Sequence, residues 1–220
     1  MLQMIVSNGN NGAAYAGLVA AHDLGVRTGG IASKGYTVIM YDKQQVPNML
    51  LESRFGLAEN DNYCPKDLTY KNILAACGTV WFGSQETEEK EVTYEAAFVN
   101  DKPIINNPSA KKLAEFVVNN NIRVLNIAGN ITTSINKDIY SRTYITVYEA
   151  LLMLISNSHC CIINNEASLN LLTTAVMDWF KFIVEVGFEK SLNEEQGESL
   201  YLSLQECIRN AMLTNRSKCY

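Results

Sequence analysis

The chain alternates between short apolar runs and longer segments whose apolar residues recur every three or four positions. The short runs are residues 3–7 (QMIVS), 78–83 (GTVWFG), 103–107 (PIINN) and 122–129 (IRVLNIAG). Continuous apolar character over so few residues fits strands buried on both faces, as in parallel sheets. Residues 12–24, 67–77, 109–121 and 136–156 carry the helical period. Leu113, Phe116 and Val117 share one face of the third helix, and Gly25 supplies a stop for the first. Residues 84–102 read as a polar loop leading into a further helix. Strands and helices therefore alternate, which predicts an α/β fold, a parallel sheet with helices on both faces. Between the first two runs the pattern is weaker. Residues 26–35 read as a glycine-rich loop, 36–42 as an extended piece, and 43–66 show no period that assigns them.

The pattern changes after residue 156. Residues 168–188 form a strongly apolar helical segment, in which Trp179, Phe180, Ile183, Val184 and Phe188 read as a core or subunit seam. In residues 191–213, Ser191 and Glu194 are spaced as a capping box. Leu200, Leu204, Cys207, Ile208 and Ala211 continue this segment as a helical stripe. The expectation is a domain over 1–156 with a C-terminal helical hairpin over 157–220.

Composition narrows the function classes. A net charge of −5 over 220 residues argues against broad nucleic-acid binding, which needs clustered Lys and Arg. The most apolar stretch, ALLMLISNSHCCIINN, is broken by Ser, Asn and His and falls short of the roughly 20 apolar residues of a membrane span. No basic segment followed by an apolar run opens the chain, so a soluble cytoplasmic protein is expected. Six cysteines without a C-x-x-C pair, and only two histidines, predict reduced thiols and no metal site. His22 reads as a helix-end or surface residue, and His159, Cys160 and Cys161 as a turn.

Candidate chemistry lies in the loops that follow the apolar runs, because open α/β sheets bind ligands outside the C-terminal ends of their strands. After the first run comes SNGNNG, then a helix. Gly9 and Gly12 permit positive φ, and Asn8, Asn10 and Asn11 offer amides. Open N–H groups at a helix start can hold an anion without a cationic side chain. A plain turn fits the same spacing, and the stretch is neither G-x-G-x-x-G nor a Walker loop. In TGGIASKG, Thr28, Gly29 and Gly30 allow close approach and Lys34 adds a charge, or the stretch is a surface turn. Asn126, Ala128 and Gly129 form a small-residue turn after the fourth run. Glu91 and Glu95 stand one helical turn apart, as an acid–base pair or as a solvated face.

The three loops together resemble those of the molybdenum-cofactor-carrier family, a branch of the lysine-decarboxylase-like Rossmann proteins of the SLOG superfamily. The resemblance runs over about residues 4–154 and includes KNILAACGTVWFGS and VTYEAAFVNDKPIIN. It is poor over 43–66 and 84–92. It implies a Rossmann-like fold, self-association through helices, and a nucleotide or molybdopterin-like ligand. Relatives in the wider group cleave nucleoside monophosphates or sense nucleotide-derived signals. The family's first loop, G-G-Q-T-G-x-D-R, falls on Asn8, Gly9, Asn10, Asn11 and Gly12, with Ala14 and Tyr15 in place of Asp and Arg. Its T-G-G…K-G loop is retained as Thr28, Gly29, Gly30, Lys34 and Gly35. Gly83 and Ser84 close the second run. The G-G-T that follows in the family is replaced by Glu88, Glu89 and Lys90, with Thr93 retained. Its N-x-A-G turn stands as Asn126, Ala128 and Gly129, with Ile131 in place of the usual Arg.

The groups lost are mainly charged or phosphate-cradling, those kept mainly shape the backbone, and Glu88 and Glu89 repel a polyanion. The resemblance thus implies a carrier or sequestering protein for a small nucleotide-like or pterin-nucleotide ligand. In that reading the first loop faces the anionic part, Lys34 closes around it, and the protein is a homo-oligomer. Two other readings stand beside it. One is an interaction protein with a degenerate site, self-associating through its C-terminal helices. The other is a nucleoside-phosphate hydrolase, which needs an Arg–carboxylate pair from Arg27, Arg54, Arg123 or Arg142.

Overall fold

The computed structural model describes residues 2–159, apart from 41, 42, 63, 85 and 86. The helical segments expected over 168–188 and 191–213, and the Cys160–Cys161 pair, lie outside these described residues.

Five parallel strands form the central sheet: β1 (Met4–Val6), β2 (Arg27–Gly29), β7 (Gly78–Phe82), β8 (Ile104–Asn106) and β9 (Val124–Gly129), in the order β2-β1-β9-β7-β8. β7 is buried along its whole length, as its unbroken apolar run requires, and Val80, Trp81 and Phe82 anchor the core. Burying each such side chain contributes roughly 1.5–3 kcal/mol. Counted with β9 as the first strand, the order across the sheet becomes 3-2-1-4-5, that of a doubly wound sheet. The strand that opens the usual fold stands here at the end of the strand sequence. The order reverses between β9 and β7, so the crevice of such a sheet lies outside their C-terminal ends.

Register divides the residues between the two faces. Thr79 pairs with Asn126, Trp81 with Ala128, and Trp81 with Asn106, so these five share one face with Ile104. On that face Ile104 packs with Ile73 of α3 (Pro65–Ala75) and with Ala96 and Ala97 of α4 (Glu88–Val99). Ile127 and Gly129 belong to the opposite face, against α1 (Ala13–Asp23). A β-carbon on Gly17 would lie 2.7 Å from Ile127, so α1 rides close on β9. α6 (Ile139–His159) lies beside α1, with Tyr140 6.3 Å from Tyr15 between ring centroids and the Tyr144 hydroxyl donating to Asp23 Oδ2 at 3.1 Å. α5 (Ala110–Asn119) is its neighbour across a cleft of about 690 Å³ lined by residues of both helices. Among the described residues no helix is long and apolar enough to cross a membrane.

Helix ends follow local chemistry. α1 stops in a Schellman arrangement: Val26 N–H reaches Ala21 O and Gly25 N–H reaches His22 O, with Gly25 at φ +66°. Thr87 and Ser109 cap α4 and α5 by accepting from Lys90 and Lys112.

The region without a clear period folds as a small module on α1. β3 (Ile31–Ala32) pairs in parallel with β6 (Ala58–Glu59), and β4 (Thr37–Ile39) pairs antiparallel with β5 (Gln45–Pro47). A 3₁₀ turn at Lys34–Tyr36 and the short α2 (Leu50–Ser53) complete it. Tyr36, Val38, Leu51, Phe55 and Leu57 gather on Leu18 of α1. The glycine-rich loop expected over 26–35 is corrected here. Arg27–Gly29 is the edge strand of the main sheet, and Ile31–Ala32 is a strand of the module. Parallel partners from elsewhere in the chain supply order that local composition does not encode.

Candidate functional site at the strand ends

The loops after β1, β7 and β9 meet at one edge of the sheet, on both sides of the reversal in strand order. Glycines make the meeting close. Gly12 has φ +105°, and a β-carbon there would lie 2.5 Å from Asn130 O and 2.7 Å from Thr132 N. On Gly83, at φ +136°, it would overlap the Asn130 side chain at 2.0 Å. On Gly129 it would meet Phe82 O at 2.0 Å and Ala13 Cβ at 2.7 Å. Gly12, Gly83 and Gly129 therefore let the three loops approach one another.

The opening loop is held largely by its own side chains. Ser7, fully buried, donates to Ala14 O at 3.0 Å and accepts from Gly9 N–H at 3.1 Å. Asn8 Oδ1 accepts from Asn10 N–H at 3.0 Å, and Asn10 Oδ1 accepts from Asn11 N–H at 3.0 Å and from Ile39 N–H at 2.9 Å. Asn10 thereby ties the loop to β4. Gly9 faces the module, where a β-carbon would lie 2.4 Å from Leu51 Cδ2.

The second loop also serves close approach. A β-carbon on Gly30 would lie 2.2 Å from Ser7 O, and Thr28 Oγ1 donates to Phe55 O at 3.0 Å. Gly29 packs against Met4, whose terminal methyl lies 2.3 Å from where a β-carbon would stand. Lys34 lies on the 3₁₀ turn of the module, where Gly35 N–H donates to Glu59. Burial, with the charges of Glu52 and Glu59, raises the Tyr36 phenol above its ordinary range.

Asn126 is buried in β9 and donates to Thr79 Oγ1 at 3.4 Å, with Ala128 beyond it on the same face. Thr93, also buried, donates to Glu89 O within α4 at 2.7 Å. Ser84 N–H donates to Asn130 Oδ1. Apart from Asn8 and Asn11 in the opening loop and Gly29 and Gly30 against Met4 and Ser7, the predicted site residues divide into three groups. Gly12, Gly83, Ser84 and Gly129 meet around Asn130. Asn126 and Ala128 line the opposite face, which also carries α4 with its buried Thr93. Gly9, Asn10, Thr28 and Lys34 face or belong to the module.

Three asparagines absent from the sequence-derived site organise this edge. Asn107, at φ +41°, accepts from Gly83 N–H at 2.8 Å and donates to Gly83 O at 2.7 Å. Asn72 does the same for Ile31, accepting at 2.9 Å and donating at 2.8 Å. Asn130 accepts from Ser84 and through its main chain receives Ala13 N–H at 3.2 Å. An amide offers a donor and an acceptor in one plane, so it can pair with a main-chain unit as a strand would. The positions of these three asparagines carried no local cue in the sequence.

Among the described residues three side-chain oxygens are buried without a hydrogen-bond partner: Thr132 Oγ1 beyond β9, Asn106 Oδ1 at the end of the edge strand β8, and Thr143 Oγ1 in α6. Glu88, with a side chain 78% exposed, turns to Lys66 at 3.7 Å instead of filling the crevice. The Arg–carboxylate pair present among the described residues is Arg54–Asp23, 3.4 Å apart at the far end of α1. Arg27 opens β2 and Arg123 precedes β9, both at the N-terminal edge of the sheet. Arg142 is exposed on the first turn of α6. No group of His, Cys, Asp and Glu among the described residues is placed to hold a metal ion.

Comparison with known proteins agrees with this architecture. The crystal structure of a proposed molybdenum carrier protein from Syntrophus aciditrophicus SB matches with a TM-score of 0.58 and 26% identity, covering 69% of this chain and 95% of that one. No curated protein matches. The circularly permuted YpsA SLOG family matches over residues 5–151. A sheet whose first strand comes last in the chain is what a circular permutation of the doubly wound order produces, and this protein belongs to the circularly permuted YpsA SLOG family.

Proposed function

We propose that the protein binds a small nucleotide-like or pterin-nucleotide ligand at the C-terminal ends of its strands, as a carrier or sequestering protein of the cytoplasm. One observation carries this reading. The loops after β1, β7 and β9 converge at the reversal in strand order, brought close by Gly12, Gly83 and Gly129. The similarity to a proposed molybdenum carrier supports a carrier role. Hydrolysis has less support, because the cleavage chemistry needs an arginine beside a carboxylate at this edge, and the pair found among the described residues, Arg54–Asp23, lies elsewhere.

Native mass spectrometry of the purified full chain, followed by denaturation, tests the proposal. The expected result is a stoichiometric heterocyclic small molecule released on unfolding. A chain that is empty as purified, and whose melting temperature no nucleotide or pterin shifts, refutes it. That outcome leaves an interaction protein, and the exposed Phe98 and Val99 at the end of α4 would then be the first surface to probe.

A further inference from the structure

β8 closes the sheet at the end opposite β2, and its outer edge is open. Its register on β7 is set by Thr79 N–H donating to Pro103 O at 2.9 Å and Asn107 N–H donating to Trp81 O at 2.8 Å. Main-chain groups alternate in direction along a strand. Pro103, Ile105 and Asn107 therefore turn toward β7, and Ile104 and Asn106 turn outward. The main-chain N–H and C=O groups of Ile104 and Asn106 make no hydrogen bond among the described residues. β7 is buried throughout, whereas every residue of β8 is half-buried. The other edge strand, β2, is covered by the module, where Thr28 Oγ1 donates to Phe55 O and Ala58 N–H to Gly30 O.

An open edge is ordinarily blunted by a charge, a proline or a bulge. Residues 103–107 carry no charge, and Pro103 stands in an inward position, so its missing N–H takes nothing from the outer edge. Lys102, the nearest cation, is committed to α3, where it donates to Ile73 O, Leu74 O and Ala76 O. The flanks offer apolar surface. α4, whose Ala96 and Ala97 pack with Ile104, ends in Phe98 and Val99, 87% and 67% exposed. On α5, Lys111, Glu115 and Val118 line the cleft toward α6, so Lys112 and Phe116 stand on the flank turned away from it. Charge complementarity selects the occupant. Asp101 precedes the strand and Lys112 follows it, both exposed and without an ion pair among the described residues. An antiparallel copy related by a two-fold axis at Ile105 sets Ile104 opposite Asn106 of the second copy, where each can donate to and accept from the other. The same axis brings Asp101 of each chain toward the start of the other's α5, and so toward Lys112. Three strand residues alone bury too little for a stable pair, which needs about 1,200 Å² or more, so Phe98, Val99 and Phe116 have to extend the contact. We infer that the open edge of β8 pairs antiparallel with the same edge of a second copy of this chain, joining two sheets into one.

Light scattering and native mass spectrometry of the full chain over a range of concentrations test this, and a dimer is expected. Asp101→Lys and Lys112→Glu, both at exposed positions, are each expected to weaken the dimer about tenfold or more, because attraction becomes repulsion at two symmetry-related contacts. Mixing the two variants is expected to restore a dimer holding one chain of each, since opposite charges then meet at both contacts. A merely structural role for either residue would give no such rescue between chains. The amides of Ile104 and Asn106 are expected to exchange more slowly as concentration rises, while Ile105, bonded to β7, exchanges slowly throughout. A chain that stays monomeric at about 100 μM overturns the pairing. A dimer that neither substitution weakens, with the Ile104 and Asn106 amides still exchanging freely, overturns it as well and places the contact elsewhere. Variants that remain monomeric when mixed overturn the antiparallel register.

Discussion

Placing alanine at Gly12 tests whether the β1 and β9 loops are locked by direct backbone contact. Gly12 has φ 105° and ψ −130°, a region that L side chains rarely enter. Holding a non-glycine residue there costs about 1–3 kcal/mol. The new methyl would also meet main-chain atoms at 2.5 to 2.8 Å, on Asn130, Thr132 and Ile131. Those atoms belong to a loop held by Asn130's bonds to Phe82 O, Ser84 and Ala13, so they cannot swing aside as a flexible side chain would. Overpacking of this kind adds about 1–3 kcal/mol. The sum, about 2–6 kcal/mol, is a large part of the 5–15 kcal/mol by which domains are typically stable. At about 2–4 °C per kcal/mol for a chain this long, the melting temperature should fall by about 4–24 °C. Gly25→Ala separates the two contributions. Gly25 also has positive φ, at +66°, but nothing lies within 4 Å of its would-be β-carbon. Its substitution should cost only the left-handed penalty, about 1–2 kcal/mol. Differential scanning fluorimetry, checked by urea unfolding, reads both. If Gly12→Ala melts within 2 °C or so of Gly25→Ala, the loops are not locked as described.

Further expectations follow from other contacts. Asn107→Ala removes both side-chain bonds to Gly83 and should destabilise the chain by about 2 kcal/mol, with faster amide exchange at Gly83 than at Val80; unchanged exchange at Gly83 would contradict this role. The Asp67 carboxyl is held below its ordinary value, chiefly by hydrogen bonds from Lys71 and Asn62. Its stabilising contribution is therefore present at neutral pH and lost as pH falls through the depressed value. Unfolding curves from pH 7 to pH 3 should steepen at the acid end, and Asp67→Asn should flatten them. Tyr140, Tyr144 and Tyr148 have phenols raised above 10.0, by burial first and then by Asp23 and, for the first two, neighbouring tyrosines. The unfolded chain ionises them first, so stability should fall as pH rises above about 10. Phenolate absorbance should then show these three appearing together with unfolding; early titration of all eleven tyrosines in the folded chain would refute it.

Much of the α/β pattern was legible in single short stretches. GTVWFG and IRVLNIAG became central strands because a short, mainly apolar run without alternation is satisfied best between two helical layers. Gly25 ended α1 because the left-handed residue that closes a helix is cheap only for glycine. The stretch 43–66 stayed opaque for a physical reason. Its strands are two or three residues long, and their order comes from Tyr36, Val38, Leu51 and Phe55 collapsing on Leu18 of α1. The capping role of Thr87 was likewise hidden, since SQETEEKE offers more than one polar residue able to begin the helix.

The candidate site divides in the same way. The sequence alone determined that glycine–asparagine loops follow buried strands, because both residue types tolerate backbone conformations that others resist. It could not say what each glycine makes room for. The space at Gly12 is taken by Asn130 and Thr132, that at Gly9 by Leu51, and that at Gly30 by Ser7, all brought from other parts of the chain. It could not say which N–H groups stay open, because Asn107 and Asn130 reach Gly83 and Ser84 only after β8 and β9 have docked on β7. Strand order belongs to the tertiary structure for the same reason. A local pattern makes a strand, but only long-range pairing inserts the last one, β9, between β1 and β7 and so decides where the crevice lies.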